Sequence, residues 1–155
     1  MENTRVEILK HVEAWTNNDT ASKVYWLSGH LGSGKTTIAH TLCERLKDKL
    51  GASFFCSRSI LEDVTQIIPT IATQLSQYDL QLQRAIYEVV ASNPELGELN
   101  CPSKQFSSLI INPIKRVIHE DTKTYKVIVI DALDECSSSS MVQLLIKAID
   151  RKSVV

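Results

Sequence analysis

Apolar positions along the chain follow two rhythms. Short runs are wholly apolar, and longer stretches bring an apolar side chain back every three or four residues. The first rhythm suits buried strands and the second suits amphipathic helices. Near the N-terminus, Thr4 and Glu7 have the spacing of a capping box, Ile8, Val12 and Trp15 share a face, and residues 17–20 (NNDT) end the helix. Residues 24–27 form a short apolar strand that runs into a glycine-rich loop. Ile38, Leu42, Leu46 and Leu50 then make a helical stripe, with Gly51 where a C-terminal cap belongs. Residues 52–56 (ASFFC) predict a second strand. Val64, Ile67, Ile68, Ile71, Ala72 and Leu75 predict a helix with Pro69 in or near its first turn. Leu82, Ile86, Val89 and Val90 predict another, stopped by Asn93 and Pro94. Phe106, Leu109, Ile110, Ile114 and Val117 are again helical, and Pro113 inside that pattern predicts a kink. Residues 126–131 (KVIVID) make an apolar strand, and Met141, Leu145, Ala148 and Ile149 mark a last helix.

Strands alternating with helical segments predict an α/β layered domain with a parallel sheet. The unbroken VIVI at 127–130 suits a strand covered on both faces. At 155 residues the chain has the length of one domain, enough to bury about two-thirds of its unfolded surface. The 17 Lys and Arg are scattered and nearly balanced by 18 Asp and Glu. Nucleic acid and anionic membrane are therefore not expected partners, because both need a concentrated basic surface. The apolar runs fall far short of the roughly 20 residues that cross a bilayer. Cys43, Cys56, Cys101 and Cys136 show no paired metal-ligand spacing, so reduced thiols are expected.

The chemistry concentrates in two motifs. The first is the loop Gly29, His30, Leu31, Gly32, Ser33, Gly34, Lys35, Thr36 and Thr37. Backbone amides can surround phosphate oxygens only where side chains leave room, which the glycines provide, and the following helix aims its positive end at the anion. Lys35 is expected to reach the β- and γ-phosphates, and the Thr36 hydroxyl to ligate Mg²⁺. The second motif is VIVIDALDEC at 127–136. Asp131 at the tip of a buried strand stands where α/β sheets bind ligands, and is the expected second Mg²⁺ residue. Asp134 and Glu135 follow closely enough to orient or deprotonate an attacking water, and they are the catalytic candidates. Taken alone, those two acids read more simply as caps of the last helix. The glycine loop upstream is what favours the chemical reading.

With both motifs in view, the sequence resembles the NACHT-type P-loop NTPases of the STAND class, most closely the nephrocystin-like NACHT modules of fungi. VYWLSGHLGSGKTTIAHTL, GASFFCSR, PTIATQL and KVIVIDALDEC appear in the matching order. The resemblance implies a three-layer α/β/α P-loop sandwich, ATP or GTP as ligand with Mg²⁺, a cytoplasmic location, and contacts with its own kind or with full-length NACHT proteins. It matches Gly29, Gly34, Lys35 and Thr36 to the phosphate and metal positions, Asp131 to the magnesium aspartate, and Asp134 with Glu135 to the acidic pair. His30 departs from the proline often found there. The resemblance also implies a further strand, between the glycine-loop strand and the Asp131 strand, that usually carries a γ-phosphate sensor. Residues 1–20 are accordingly expected to form a leading helix and linker, and 21–155 the N-terminal part of an incomplete NACHT domain. Such a chain is expected to bind nucleotide weakly and not to turn it over by itself.

Other residues carry blander expectations. Arg58 is a loop arginine within swinging distance of a γ-phosphate, His11, His40 and His119 are surface or boundary residues, and Trp15 and Trp26 are core packing. A metabolite kinase would need clustered arginines for its lid, and the arginines here are dispersed. A non-enzymatic interaction module, pairing an open sheet edge with a relative, is the alternative from a different class.

Overall fold

The computed structural model describes residues 2–56, 66–97, 101–117, 126–135, 142–143 and 146–147, with the side chains of 2–4, 97 and 135 excepted. Helix α1 spans Glu2–Thr16 and α2 spans Lys35–Arg45. Strand β1, Leu50–Phe55, is followed by α3, Ile67–Leu75, and α4, Leu80–Ser92. A 3₁₀ turn, Pro94–Gly97, leads to α5, Pro102–Phe106, a π-helical segment, Ser107–Ile111, and α6, Asn112–Val117. Strand β2, Val127–Asp131, ends in a 3₁₀ turn, Leu133–Glu135. The mixed α/β class expected from the pattern is what forms.

The two strands pair in parallel, with Ala52 opposite Ile128 and Phe55 opposite Asp131. Helices cover both faces. On one, Ala52 joins Ile67, Ile68, Ile71, Ala72 and Leu75 of α3 and Phe106, Leu109 and Ile110 of the irregular helix, with Phe54, Ile128 and Ile130 packed against them. On the other, Leu9 and Val12 of α1 meet Ile38, Leu42 and Leu46, with Tyr25, Leu27 and Val127 alongside. Val127 facing one cluster and Ile128 the other is the alternation that a doubly covered strand requires. Ile67 and Ile68 are 0% exposed. Each such side chain contributes about 1.5–3 kcal/mol by leaving water. The outer edge of β1 is closed by a side chain: Gln74 accepts from the Ser53 N–H through Oε1 and donates to the Ser53 carbonyl through Nε2, both at 2.9 Å.

Four expectations need correction. Residues 24–27 are not a strand. Tyr25 and Leu27 pack against the α1–α2 cluster, but the segment has no regular secondary structure and among the described residues makes no ladder hydrogen bonds. Trp26, out of phase with those two, is 55% exposed and is not core. Gly51 is not a helix cap: α2 ends at Arg45, a turn over residues 46–49 follows, and Gly51 lies in β1. A β-carbon there would stand 2.8 Å from Leu75 Cδ2 and 2.9 Å from Lys126 Cβ, so close approach explains the glycine. Finally, α1 begins at Glu2, placing Thr4 inside its first turn and not at the cap.

Elsewhere the periodicity holds. Pro69 sits in the first turn of α3, and Asp79 caps α4 by accepting from the N–H groups of Gln81 and Leu82. The disturbance expected from Pro113 takes the form of the π-helical segment just before it, a known way to absorb a missing amide and a ring clash within a helix. Val64 and Arg58, His119, and Cys136 with Met141, Leu145, Ala148 and Ile149 lie outside the described residues. Residues 142–143 and 146–147 are helical, and Val142 is buried in the α3 cluster.

Candidate phosphate-binding site

Gly32 and Gly34 both have positive φ, +75° and +87°. That left-handed backbone is open to glycine and strained for other residues. It turns the chain sharply into α2, and the Ser33 N–H donates back to the His30 carbonyl at 3.1 Å to close a turn. The first residue of α2 whose N–H finds a helical acceptor is Ile38, bonded to the Gly34 carbonyl at 3.0 Å. The N–H groups of Lys35, Thr36 and Thr37 precede it, and among the described residues no backbone carbonyl accepts from them. Unpaired first-turn amides and the helix dipole together favour an anion at this end.

Lys35 is half-buried and folds back over the loop. Its Nζ donates to the Gly29 carbonyl at 2.7 Å and to the His30 carbonyl at 3.0 Å. A lysine held this way keeps its charge against the curve of the loop, with both hydrogen bonds exposed to solvent. Leu31 is 87% exposed, while Ser33, Thr36 and Thr37 are exposed at the mouth. Thr36 stands in the first turn of α2 with its hydroxyl making no hydrogen bond among the described residues, whereas the Thr37 carbonyl accepts from Thr41 Oγ1. His30 is exposed.

The acidic motif sits on a different frame. Asp131 is half-buried at the C-terminal tip of β2, and its carbonyl accepts from the Cys56 N–H at 3.1 Å. Ala132 has φ +56°, so the chain reverses there through a left-handed residue before the 3₁₀ turn. Asp134 is exposed on that turn, and Glu135 closes it. Helix α2 packs on β2 and carries the loop toward the same end of the sheet. Among the described residues, no hydrogen bond or ion pair joins Asp131 or Asp134 to Lys35 or Thr36. No group of three or more His, Cys, Asp or Glu side chains is gathered there for a metal either. The site therefore comes as two separate pieces, an amide-lined loop and a strand-tip carboxylate.

Of the secondary candidates, His40 is exposed but stacks flat on Phe55, with ring centroids 4.1 Å apart. His11 meets the Tyr25 hydroxyl at 3.2 Å, and the Trp15 indole donates to the Ser22 carbonyl at 2.7 Å. Both contacts hold the segment leading to the loop against α1. A shallow recess of about 200 Å³, lined by Gln81, Arg84, Glu88 and Arg116, contains none of the predicted site residues. Sequence reasoning passed over Arg5, whose guanidinium lies directly against Gly34. Its position one turn before the buried Leu9 of α1 was the available signal, although Arg5 itself is exposed.

No helix among the described residues is long and apolar enough to cross a membrane. The family model for the N-terminal region of nephrocystin 3 matches residues 3–155, and the chain belongs to that family. No curated protein and no solved structure matches it.

Proposed function

We propose that this member of the nephrocystin 3 N-terminal family is a NACHT-type P-loop module that binds the phosphate chain of ATP or GTP together with Mg²⁺. One observation carries the reading: Lys35, two left-handed glycines and the first-turn amides of α2, which have no backbone acceptor among the described residues, converge on one loop. The donor set fits the ligand. Amides and an ammonium suit phosphate oxygens, and the Thr36 hydroxyl with the Asp131 carboxylate suits a hard oxygen-seeking cation. When bound, the cation would neutralise phosphate charge. Lys35 would exchange its two loop carbonyls for phosphate oxygens, so its charge is stored close to where it is used. Gly34 keeps the backbone open, and Thr37 extends the row of amides.

The proposal is binding, not turnover. Asp134 and Glu135 are assigned to water activation by their place after Asp131, but among the described residues no hydrogen bond or ion pair carries the exposed Asp134 to the loop. The test is a titration of the 155-residue chain with fluorescent ATP and GTP analogues and Mg²⁺, with Lys35→Ala beside it. Saturable binding weakened at least about a hundredfold in the variant is expected, since the lysine makes several charge-assisted contacts. Equal binding by both proteins would sink the proposal.

A second reading, an interaction module that adds a strand from a homotypic or full-length NACHT partner, is favoured by the segment at 24–27, which makes no ladder hydrogen bonds among the described residues. Light scattering showing a strict monomer at high concentration, alone and with such a partner, would remove it.

A further inference from the structure

We propose that Arg5, carried on the leading helix, is a second phosphate-binding cation of the glycine loop, a role that rests on the nucleotide reading above. The Nη2, Cζ and Nε atoms of Arg5 lie 2.7, 2.9 and 3.0 Å from the point where a β-carbon on Gly34 would stand. The guanidinium thus fills the space that this glycine leaves beside the start of α2. Three contacts fix how it gets there. Arg5 meets Gly34, Glu13 pairs with Arg45 at 3.0 Å, and Asn17 accepts from Lys49. Residue numbers rise together along both partners, so α1 lies parallel to α2. Leu9 and Val12, one and two turns beyond Arg5, are buried against Ile38, Leu42 and Leu46 and hold the helix in that alignment.

Parallel packing places two positive helix ends side by side, with Arg5 and Lys35 at the same end. Like poles and like charges repel, and an anion between them is what makes such an arrangement favourable. Among the described residues no carboxylate takes that part for Arg5. Glu7, two residues on, pairs with Lys10, and Glu13 pairs with Arg45. A guanidinium is planar and presents two parallel N–H groups, the geometry that matches adjacent phosphate oxygens. Arg5 therefore gives the nucleotide site a contact from outside the loop, and ligand binding there ties α1 to the phosphate chain.

The experiment measures Mg-ATP and tripolyphosphate affinity for the wild-type chain, Arg5→Ala, Arg5→Lys, Arg5→Glu and Lys35→Ala across a salt series. Arg5→Ala is expected to weaken both ligands roughly tenfold, the scale of one charge-assisted hydrogen bond. Arg5→Lys should restore part of the loss, Arg5→Glu should deepen it, and the salt dependence of binding should flatten in Arg5→Ala. Unchanged affinity and salt slope in Arg5→Ala, with binding lost in Lys35→Ala, would leave the nucleotide reading standing and overturn this one. A wild-type chain that binds neither ATP nor GTP overturns both. If Arg5→Ala melts below the assay temperature, Arg5→Lys and Arg5→Gln keep the stem over Gly34 and carry the same comparison.

Discussion

The glycine loop and the Asp131 strand tip belong to one expected site, yet they are supported in different ways. Asp131 ends a strand that pairs with a neighbour and rests on the α3 core, where several side chains are almost fully buried. The loop hangs between a segment that has no ladder partners among the described residues and a helix steadied by the smaller α1–α2 cluster. The acid is positioned by the sheet, while the glycine loop is positioned by helices. A ligand held by both would have to bridge two frames that meet mainly where α2 crosses the strands, at the His40–Phe55 stack and the Cys43–Ser53 contact.

The sharpest way to break this contrast is to damage each frame in turn. Ile71→Ala, in the α3 core, is expected to cost about 3–4 kcal/mol in urea unfolding, and Leu42→Ala, in the helical cluster, about 2–3 kcal/mol. If the frames are separable, Leu42→Ala will raise amide exchange in residues 24–46 while leaving 50–55 and 127–131 protected. Uniform loss of protection would show one cooperative unit. Next in size is Gln74→Ala, which strips two hydrogen bonds from the β1 edge. About 1–3 kcal/mol and a new tendency to aggregate are expected, read by denaturation and light scattering.

At the strand tip, Ala132 holds a left-handed conformation that costs a non-glycine residue about 1–2 kcal/mol. Ala132→Gly should raise the melting temperature slightly and Ala132→Val should lower it. The opposite order would mean that the reversal after Asp131 is not a point of strain.

The smallest effect reports on the seam. Burial lifts the Cys43 thiol above its ordinary range, against a weaker downward pull from the Ser53 hydrogen bond. A raised folded value means that any stability linked to the protonated thiol is present at neutral pH and is lost only as pH climbs through that value. Alkylation at pH 8 should reach exposed Cys101 before Cys43, and Leu42→Ala should narrow the gap by loosening α2.

How much of this was legible beforehand depended on how local the cause was. Helix α4, with its apolar stripe and its stop at Asn93, and β2, with its unbroken apolar run, are written in adjacent residues, and both were readable. So was the loop, because glycines followed by lysine and an amphipathic stripe need no distant partner. Residues 24–27 have the same apolar character as β2, but a strand exists only when another strand completes its hydrogen bonds, and no single segment reveals that. Gly51 was misread because both a helix cap and a crowded strand select glycine. The side chains of Leu75 and Lys126 decide between them, from 24 and 75 positions away in sequence. Arg5 escaped for the same reason: its meaning depends on α1 lying parallel to α2.

The Gln74 side chain has one more implication. By occupying the amide and carbonyl of Ser53, it works as an end-stop on that flank of the sheet. Growth of the sheet is thereby made directional. Among the described residues, the flank of β2 that leads to Asp131 pairs with no further strand, and a newcomer strand, from this protein or another, would find its berth there. Recruitment and ligand chemistry would then share a doorstep, and a partner docking there would reshape the acidic half of the site before touching the loop.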